Sequence, residues 1–334
     1  MLISFTDRGL YCEAGNFYID PWCPVDLAVI THAHSDHARA GSKSYLCHRL
    51  TKPLLELRLG DNQYQGVEWE ETIFMNGVKI SLHPAGHMIG SSQVRIEHKG
   101  EVWVVSGDYK TEDDGISGKF EPVPCQHFIT ESTFGLPIYR WKPQHEIFQD
   151  VLDWICKNKE AGKTSVLIAY SLGKAQRLLQ CLPAAGLPIF VHGAIWNAHQ
   201  AITASGIALP DVQRVTPDMS KEKFAGNIII APPSAENSSW MKKFSPYGVG
   251  VCSGWMQVRG NTRRQNADAG FALSDHADWN GLLQAVKNTG AEKVYVTHGF
   301  QSVFSRYLNE CGIESSEVKT EFGKEEEEKG NIES

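Results

Sequence analysis

No run among the 334 residues comes near the roughly 18 consecutive apolar residues that a membrane-spanning helix needs. The N-terminus, Met1-Leu-Ile-Ser-Phe-Thr-Asp7, has neither a basic start nor a long apolar stretch. The sequence thus predicts no membrane span, no secretory signal and, by default, a cytoplasmic location. Paired cysteines are missing too. The eight cysteines, at 12, 23, 47, 125, 156, 181, 252 and 311, are irregularly spaced and contain no C-x-x-C. Free, mostly buried thiols are expected rather than a disulfide framework or a thiolate zinc site. A phosphate-cradling loop is absent as well. Gly162-Lys-Thr-Ser165 has the ending of one, but residue 157 is lysine where the earlier glycine belongs, and a strand is expected where the helix should start.

Positive charge is also scarce: the formal net charge is −7, which argues against a chain that coats nucleic acid through bulk charge. The deficit is uneven. Residues 321–334 hold six acids and two bases, whereas 237–267 hold Lys242, Lys243, Arg259, Arg263 and Arg264 and no acid. A local basic surface on an acidic protein is the expectation. Arg259, Arg263 and Arg264 are candidates to clamp phosphates, with Trp240, Phe244, Tyr247 and Trp255 as candidates to stack on bases. The alternative is a solvated loop with its aromatics in the core.

What is present suffices for a large core, since 42% of residues are hydrophobic. The length suits two domains or one large one. The first 130 residues read as β-rich, with apolar runs at 16–20, 27–31, 78–82, 94–97 and 102–105 punctuated by Gly and Pro. A helix is predicted over 52–59, with Thr51 as cap and Pro53 in its first turn. Beyond 140, strands and helices alternate. Helices are expected at 146–160, 173–182 and 235–243, and strands at 165–170, 188–191 and 227–231, which implies a largely parallel sheet. Helix 279–288, strand 293–297 and helix 301–311 follow, and an acidic, solvated tail from 317.

The strongest chemical signal is Thr31-His32-Ala-His34-Ser-Asp36-His37, directly after the apolar strand 27–30. Residues i and i+2 on an extended end point to one side, so His32 and His34 can share an ion, and Asp36 and His37 face a second one where the chain turns. Neutral imidazole suits zinc, and a carboxylate completes the set. The bland alternative is a polar turn with solvated histidines. His87, in the glycine-flanked segment 84–92, and Asp108, ending the strand 102–105, are weaker signals that gain weight beside the first. Seven further histidines match no ligand position; of these, His192 is the one of interest.

The order H-x-H-x-D-H, His87, Asp108 and a late His298 resembles the metallo-β-lactamase superfamily. The 190 residues between Asp108 and His298 resemble a family member with an inserted β-CASP domain, the nucleic-acid-processing branch. Thr130-Glu131 resembles its motif A, Ser274-Asp-His276 its motif B and His298 its motif C. Residues 172–179 and 190–193 resemble β-CASP segments. Within the branch, the runs 252–260 and 270–281 look like the bacterial DNA-ligase-associated exonuclease group, also labelled mRNA 3′-end-processing-factor-like.

The resemblance implies an α/β fold, a metallo-β-lactamase αββα sandwich over 1–140 and 269–316 with an inserted α/β domain over 141–268 and the tail 317–334. It implies two divalent ions, zinc first and manganese as the alternative. His32, His34 and His87 would hold one, Asp36, His37 and His298 the other, with Asp108 bridging and a hydroxide between the ions as nucleophile. His276 would be the general acid, Glu131 would orient it, and Asp20 would bond to a ligand histidine; the alternative for Asp20 is an ordinary turn acid. The implied activity is phosphodiester hydrolysis, first as a DNA exonuclease in repair, with a DNA ligase or helicase as partner. An RNA exo- or endonuclease is the alternative, because His at motif C is usual in RNA-processing members and Val in Artemis-like DNA nucleases. A small-ester or thioester hydrolase and a non-catalytic nucleic-acid-binding subunit stand further off, the first against the long insert and the second against the complete ligand set.

Overall fold

The computed structural model describes residues 1–258 and 267–318. Arg259, Arg263 and Arg264, and the acidic run from 319 onward, lie outside the described residues. The chain divides into two compact units, Met1–Tyr139 with His276–Ser334, and Arg140–Asp275.

In the first unit, six strands form one sheet in chain order: β1 (Ile3–Thr6), β2 (Gly9–Cys12), β3 (Phe17–Ile19), β4 (Leu27–Val29), β5 (Ser44–His48) and β6 (Gln63–Val67). A second sheet has seven, in the spatial order β19 (Glu314–Glu317), β18 (Lys293–Thr297), β11 (His127–Glu131), β10 (Glu101–Val105), β9 (Ser92–His98), β8 (Val78–Pro84) and β7 (Ile73–Met75). Strand periodicity assigns the layers. Trp103 and Val105 of β10 and Tyr295 of β18 face a core shared with Phe17, Ile19, Val29 and Leu46 of the first sheet. The intervening Val104, Val294 and Val296 face the other way, onto Leu282, Val286, Phe304 and Leu308. Those four belong to two amphipathic helices, Trp279–Thr289 and Gln301–Glu310. Each fully buried side chain of this kind contributes about 1.5–3 kcal/mol. With helix Lys52–Leu59 on the first sheet's side, burying Leu54 and Leu55, the layers run helix, sheet, sheet, helix.

Helix Lys52–Leu59 has the expected bounds, with Pro53 in its first turn. Thr51, however, makes no capping bond: its hydroxyl donates to the Gly90 carbonyl at 2.7 Å. The helix start is thereby tied to the loop that carries His87. Glu317, expected to open the tail, closes β19, which pairs in parallel with β18.

The second unit has a six-stranded sheet of order β14 (Gln213–Arg214), β13 (Ile189–Val191), β15 (Ile228–Ala231), β12 (Thr164–Ile168), β16 (Tyr247–Cys252) and β17 (Ala269–Phe271), with every pairing parallel. Helices Gln144–Glu160, Lys174–Leu179 and Gly193–Ala204 accompany it. Three expectations change. The helix expected over 235–243 is replaced by short 3-10 turns, Pro233–Ala235 and Ser239–Phe244, because Asn237 takes a left-handed φ of 59° between them. Phe244 is core, packed against Phe224 and Trp240 at ring distances of 5.0 and 4.6 Å; Trp240, Tyr247 and Trp255 are half-buried against the same cluster. These side chains fill a core, which removes the stacking expectation for Phe244. His192 is a helix cap: its Nδ1 accepts from the Ala194 N–H at 3.2 Å.

Among the described residues, no helix is long and apolar enough to cross a membrane.

Candidate metal centre

Strands β8 and β10 both run antiparallel to β9, while β10, β11 and β18 pair in parallel. Their C-terminal ends therefore share one edge of the second sheet. Glu131 ends β11, and Asp108, His298 and His87 follow β10, β18 and β8. In the first sheet β3 and β4 are parallel, so Asp20 and Thr31-His32 leave neighbouring ends. Two chain reversals depend on glycine. Gly107 has φ 56°, and a Cβ there would stand 2.7 Å from Thr31 Cβ; Gly299 has φ 67°, and a Cβ would stand 2.4 Å from the Ser132 carbonyl oxygen.

The sequence-predicted donors converge. His32, His34, His87 and Asp108 offer atoms that all lie within 4.8 Å of one another, and Asp36, His37 and Asp108 form a second such group. Asp108 belongs to both. His298 lies beside the second group. Its ring centre is 5.2 Å from that of His37, and it lines a cavity of about 40 Å³ with Asp36 and His37. Ser132 holds it from behind by donating its hydroxyl proton to the His298 carbonyl.

Asp20 is more than a turn acid. Its Oδ1 accepts from the Thr31 N–H at 2.8 Å, and its Oδ2 from the Thr31 hydroxyl at 2.5 Å and His37 Nδ1 at 2.7 Å. Thr31 Oγ1, with its single proton committed to Asp20, accepts from His32 Nδ1 at 3.1 Å. This network assigns the protons to both Nδ1 atoms. It turns His32 Nε2 and His37 Nε2 toward Asp108 Oδ2, each at 3.5 Å.

Both Nε2 atoms are buried and have no hydrogen-bond partner. With neutral rings, two lone pairs face a carboxylate at that distance, which is repulsive, and each orphaned buried polar atom costs about 1–3 kcal/mol. A cation between them reverses the sign. Without one, the carboxylates recruit a proton. Burial works against charge on His37, yet Asp108, Asp36 and Asp20 outweigh it and push the imidazole well above its ordinary value. Burial holds His32 well below the usual range, helped by His37. Burial also opposes the charged form of Asp108, but His37 outweighs it and keeps the carboxyl well below the carboxylate range. A buried set of imidazoles and carboxylates with orphaned nitrogens fits divalent ions.

Beside the donors, His276 Nδ1 lies 2.9 and 3.1 Å from the two Glu131 oxygens. Glu131 is 1% exposed and also accepts from the Tyr109 N–H at 2.7 Å. The His276 ring centre is 4.6 Å from that of His87. Thus Asp20, His32, His34, Asp36, His37, His87, Asp108, Glu131, His276 and His298 gather at one edge. Four supporting residues were not singled out for roles from sequence. Thr31 is the hub of the Asp20 network. Ser91 accepts from the N–H groups of His87 and Met88 at 3.1 Å. Ser132 backs His298. Arg58 donates to the Ala33 carbonyl at 2.5 Å and clamps the His34–His37 turn. Thr31, Ser91 and Ser132 lie in or next to segments that the sequence singles out for the site, whereas Arg58 had no such signal.

No protein-family profile matches the sequence. The chain is 32% identical over 317 residues to a probable DNA ligase of Opitutus terrae, covering 92% of this chain and 30% of that protein. It is 25% identical over 194 residues to the endoribonuclease YSH1 of Yarrowia lipolytica, covering 47% of this chain and 23% of the relative. An RNase J-like protein of Methanocaldococcus jannaschii is 22% identical over 208 residues, covering 52% of this chain and 49% of that one. These similarities stand beside the histidine and aspartate order that the structure gathers in one place. The chain belongs to the β-CASP metallo-β-lactamase family. A crystal structure of a protein of unknown function from Enterococcus faecalis V583 shares the fold, with a TM-score of 0.63 at 11% identity over 88% of this chain and 79% of that one. The fold is therefore the metallo-β-lactamase αββα sandwich with a β-CASP insertion, and its His/Asp groups are of a kind that could hold metal ions. The chain spans half or less of the length of each of the three curated relatives.

Proposed function

We propose that the protein is a nuclease that hydrolyses phosphodiester bonds in a nucleic-acid strand, with DNA ends as its first substrate class. The observation that carries this reading is the Glu131–His276 pair set against the donor cluster, which puts a proton donor beside a cation site. In this reading the inserted domain, expected over 141–268, lies within the compact unit Arg140–Asp275. His32, His34 and His87 would hold one divalent ion and Asp36, His37 and His298 a second, with the Asp108 carboxylate available to both. Zinc is the first candidate and manganese the second. Ions in that set supply Lewis acidity and a nucleophile at neutral pH.

The chain's own residues do the rest. Asp20 and Thr31 fix the His37 and His32 tautomers so that Nε2 faces inward. Glu131 holds the Nδ1 proton of His276, which leaves Nε2 on the opposite side of the ring to pass a proton to the departing oxygen. The relative named as a probable DNA ligase supports DNA as the substrate and a DNA ligase as the partner. The relatives named for ribonucleases, together with His298, support RNA as the second reading.

End-labelled DNA and RNA strands test this, with metal content measured in parallel. Unaltered protein with about two ions per chain should shorten one of them, and Asp36→Ala should not. Cutting by Asp36→Ala at the full rate would end the metal reading; which strand is shortened decides between DNA and RNA. Asp20→Ala should lower metal affinity by about 10- to 100-fold in competition with a chromogenic chelator, the usual effect of removing a group that orients a ligand imidazole. Unchanged affinity would return Asp20 to the role of a turn acid.

A further inference from the structure

A second cavity, of about 310 Å³, opens on the unit that carries the metal centre, lined by Arg8, Tyr11, Asn16, Tyr18, Asp26 and Lys43 among others. Leu10 and Cys12 of β2, and Phe17 and Ile19 of β3, turn into the core. Tyr11 and Tyr18 therefore project from the opposite face of the sheet. They are register partners across the two strands, and their rings stack at 4.5 Å with planes 29° apart. The Tyr11 hydroxyl donates to Asn16 Oδ1 at 3.0 Å, which fixes that ring's outer edge.

The two cations at the cavity differ. Lys43 is paired with Asp26 at 2.5 Å. Arg8 is exposed and has no ion pair among the described residues. The Arg8 carbonyl accepts from the Trp22 N–H at 2.9 Å, and Trp22 lines the small cavity next to Asp36, His37 and His298. One residue thus links the two openings.

We infer that this cavity is a subsite for one nucleotide of the bound strand, its base stacked on the Tyr11–Tyr18 pair and its phosphate on the Arg8 guanidinium. The inference rests on the nuclease reading and adds a path for the strand away from the metals. Three properties match the ligand. The volume lies at the lower end of small-molecule sites, which suits a single nucleotide. Tyrosine rings stack on any base, so the subsite tolerates every sequence. A planar guanidinium that forms no ion pair among the described residues, with the cavity's Asp26 already paired to Lys43, is the preferred partner of a phosphate diester.

The test measures binding of a fluorescent 12-nucleotide phosphorothioate strand, made as DNA and as RNA, by anisotropy across a salt series. A strand of the same length carrying 5-iodouracil is photocrosslinked in parallel. Arg8→Ala should weaken binding about tenfold and reduce the salt slope by about 0.7, the value for one phosphate contact on a single strand. Arg8→Lys should keep the slope. Tyr11→Leu should weaken binding about tenfold with the slope unchanged, since it removes stacking and no charge. Crosslinks should map to Tyr11 or Tyr18 in the unaltered protein, a readout that does not depend on how a variant folds. Native affinity and slope in Arg8→Ala and Tyr11→Leu with crosslinks elsewhere would overturn the subsite while leaving the nuclease intact. Binding of free dAMP or AMP at these tyrosines without any effect on strands would overturn the assignment to the strand. Failure of the unaltered protein to bind or cut either strand would remove this inference together with the nuclease reading.

Discussion

Asp108→Ala should lose at least about 10³-fold in kcat/KM on a nucleic-acid substrate. The carboxylate belongs to both donor groups, with Oδ2 3.5 Å from His32 Nε2, 3.5 Å from His37 Nε2 and 3.8 Å from His87 Nε2. Deleting it takes the shared negative charge from the centre and leaves the imidazoles to repel one another and any cation. An ion's contribution to a phosphoryl transition state is several kcal/mol; about 4 kcal/mol corresponds to about 10³ in rate. Metal content should fall below that of the unaltered protein, and added zinc should no longer raise the melting temperature. Asp108→Asn, which keeps the volume and drops the charge, should behave alike. A variant with full metal content and full rate would show that the carboxylate bridges nothing.

The second large effect is at His276. Its alanine variant should lose about 10²–10⁴-fold on a natural strand, the range expected when a positioned general acid is removed. The loss has a signature. A natural leaving oxygen needs a proton, whereas p-nitrophenolate leaves without one. On a p-nitrophenyl phosphodiester, His276→Ala should therefore act within about tenfold of the unaltered protein. Glu131→Gln should show the same pattern more weakly, because Tyr109 N–H still anchors the side chain while the carboxylate behind Nδ1 is gone. An equal loss on both substrates would move His276 from proton transfer to metal or substrate binding.

Legibility from sequence followed the locality of the forces. Helix Lys52–Leu59 was readable to the residue, since a proline in the first turn is a local signal, although the capping role expected of Thr51 was not met. Strand β18 was readable too, as a short apolar run between turns. Strand β16, Tyr-Gly-Val-Gly-Val-Cys, was not. Gly248 and Gly250 break the apolar run, and their use is tertiary: a Cβ there would come within 3.2 Å of Trp154. Helix Gly193–Ala204 was missed for a related reason. It opens on glycine, and its buried stripe of Ile195, Ala198, His199 and Ile202 includes a histidine that polarity alone assigns to the surface.

The sequence by itself determined the donors and their order. The spacing of His32, His34, Asp36 and His37 after an apolar strand is local, and so are the turns that carry His87 and Asp108. What only the tertiary structure decided is the electrostatic balance around them. Asp20 reaches His37 across 17 residues and Glu131 reaches His276 across 145. The proton positions that leave His32 Nε2 and His37 Nε2 facing Asp108 follow from those bonds. Burial of His32, His37, His87 and Asp108 makes an unpaired nitrogen costly and a bound cation favourable, and that burial exists only once two sheets and their helices have closed over the edge where the strands end.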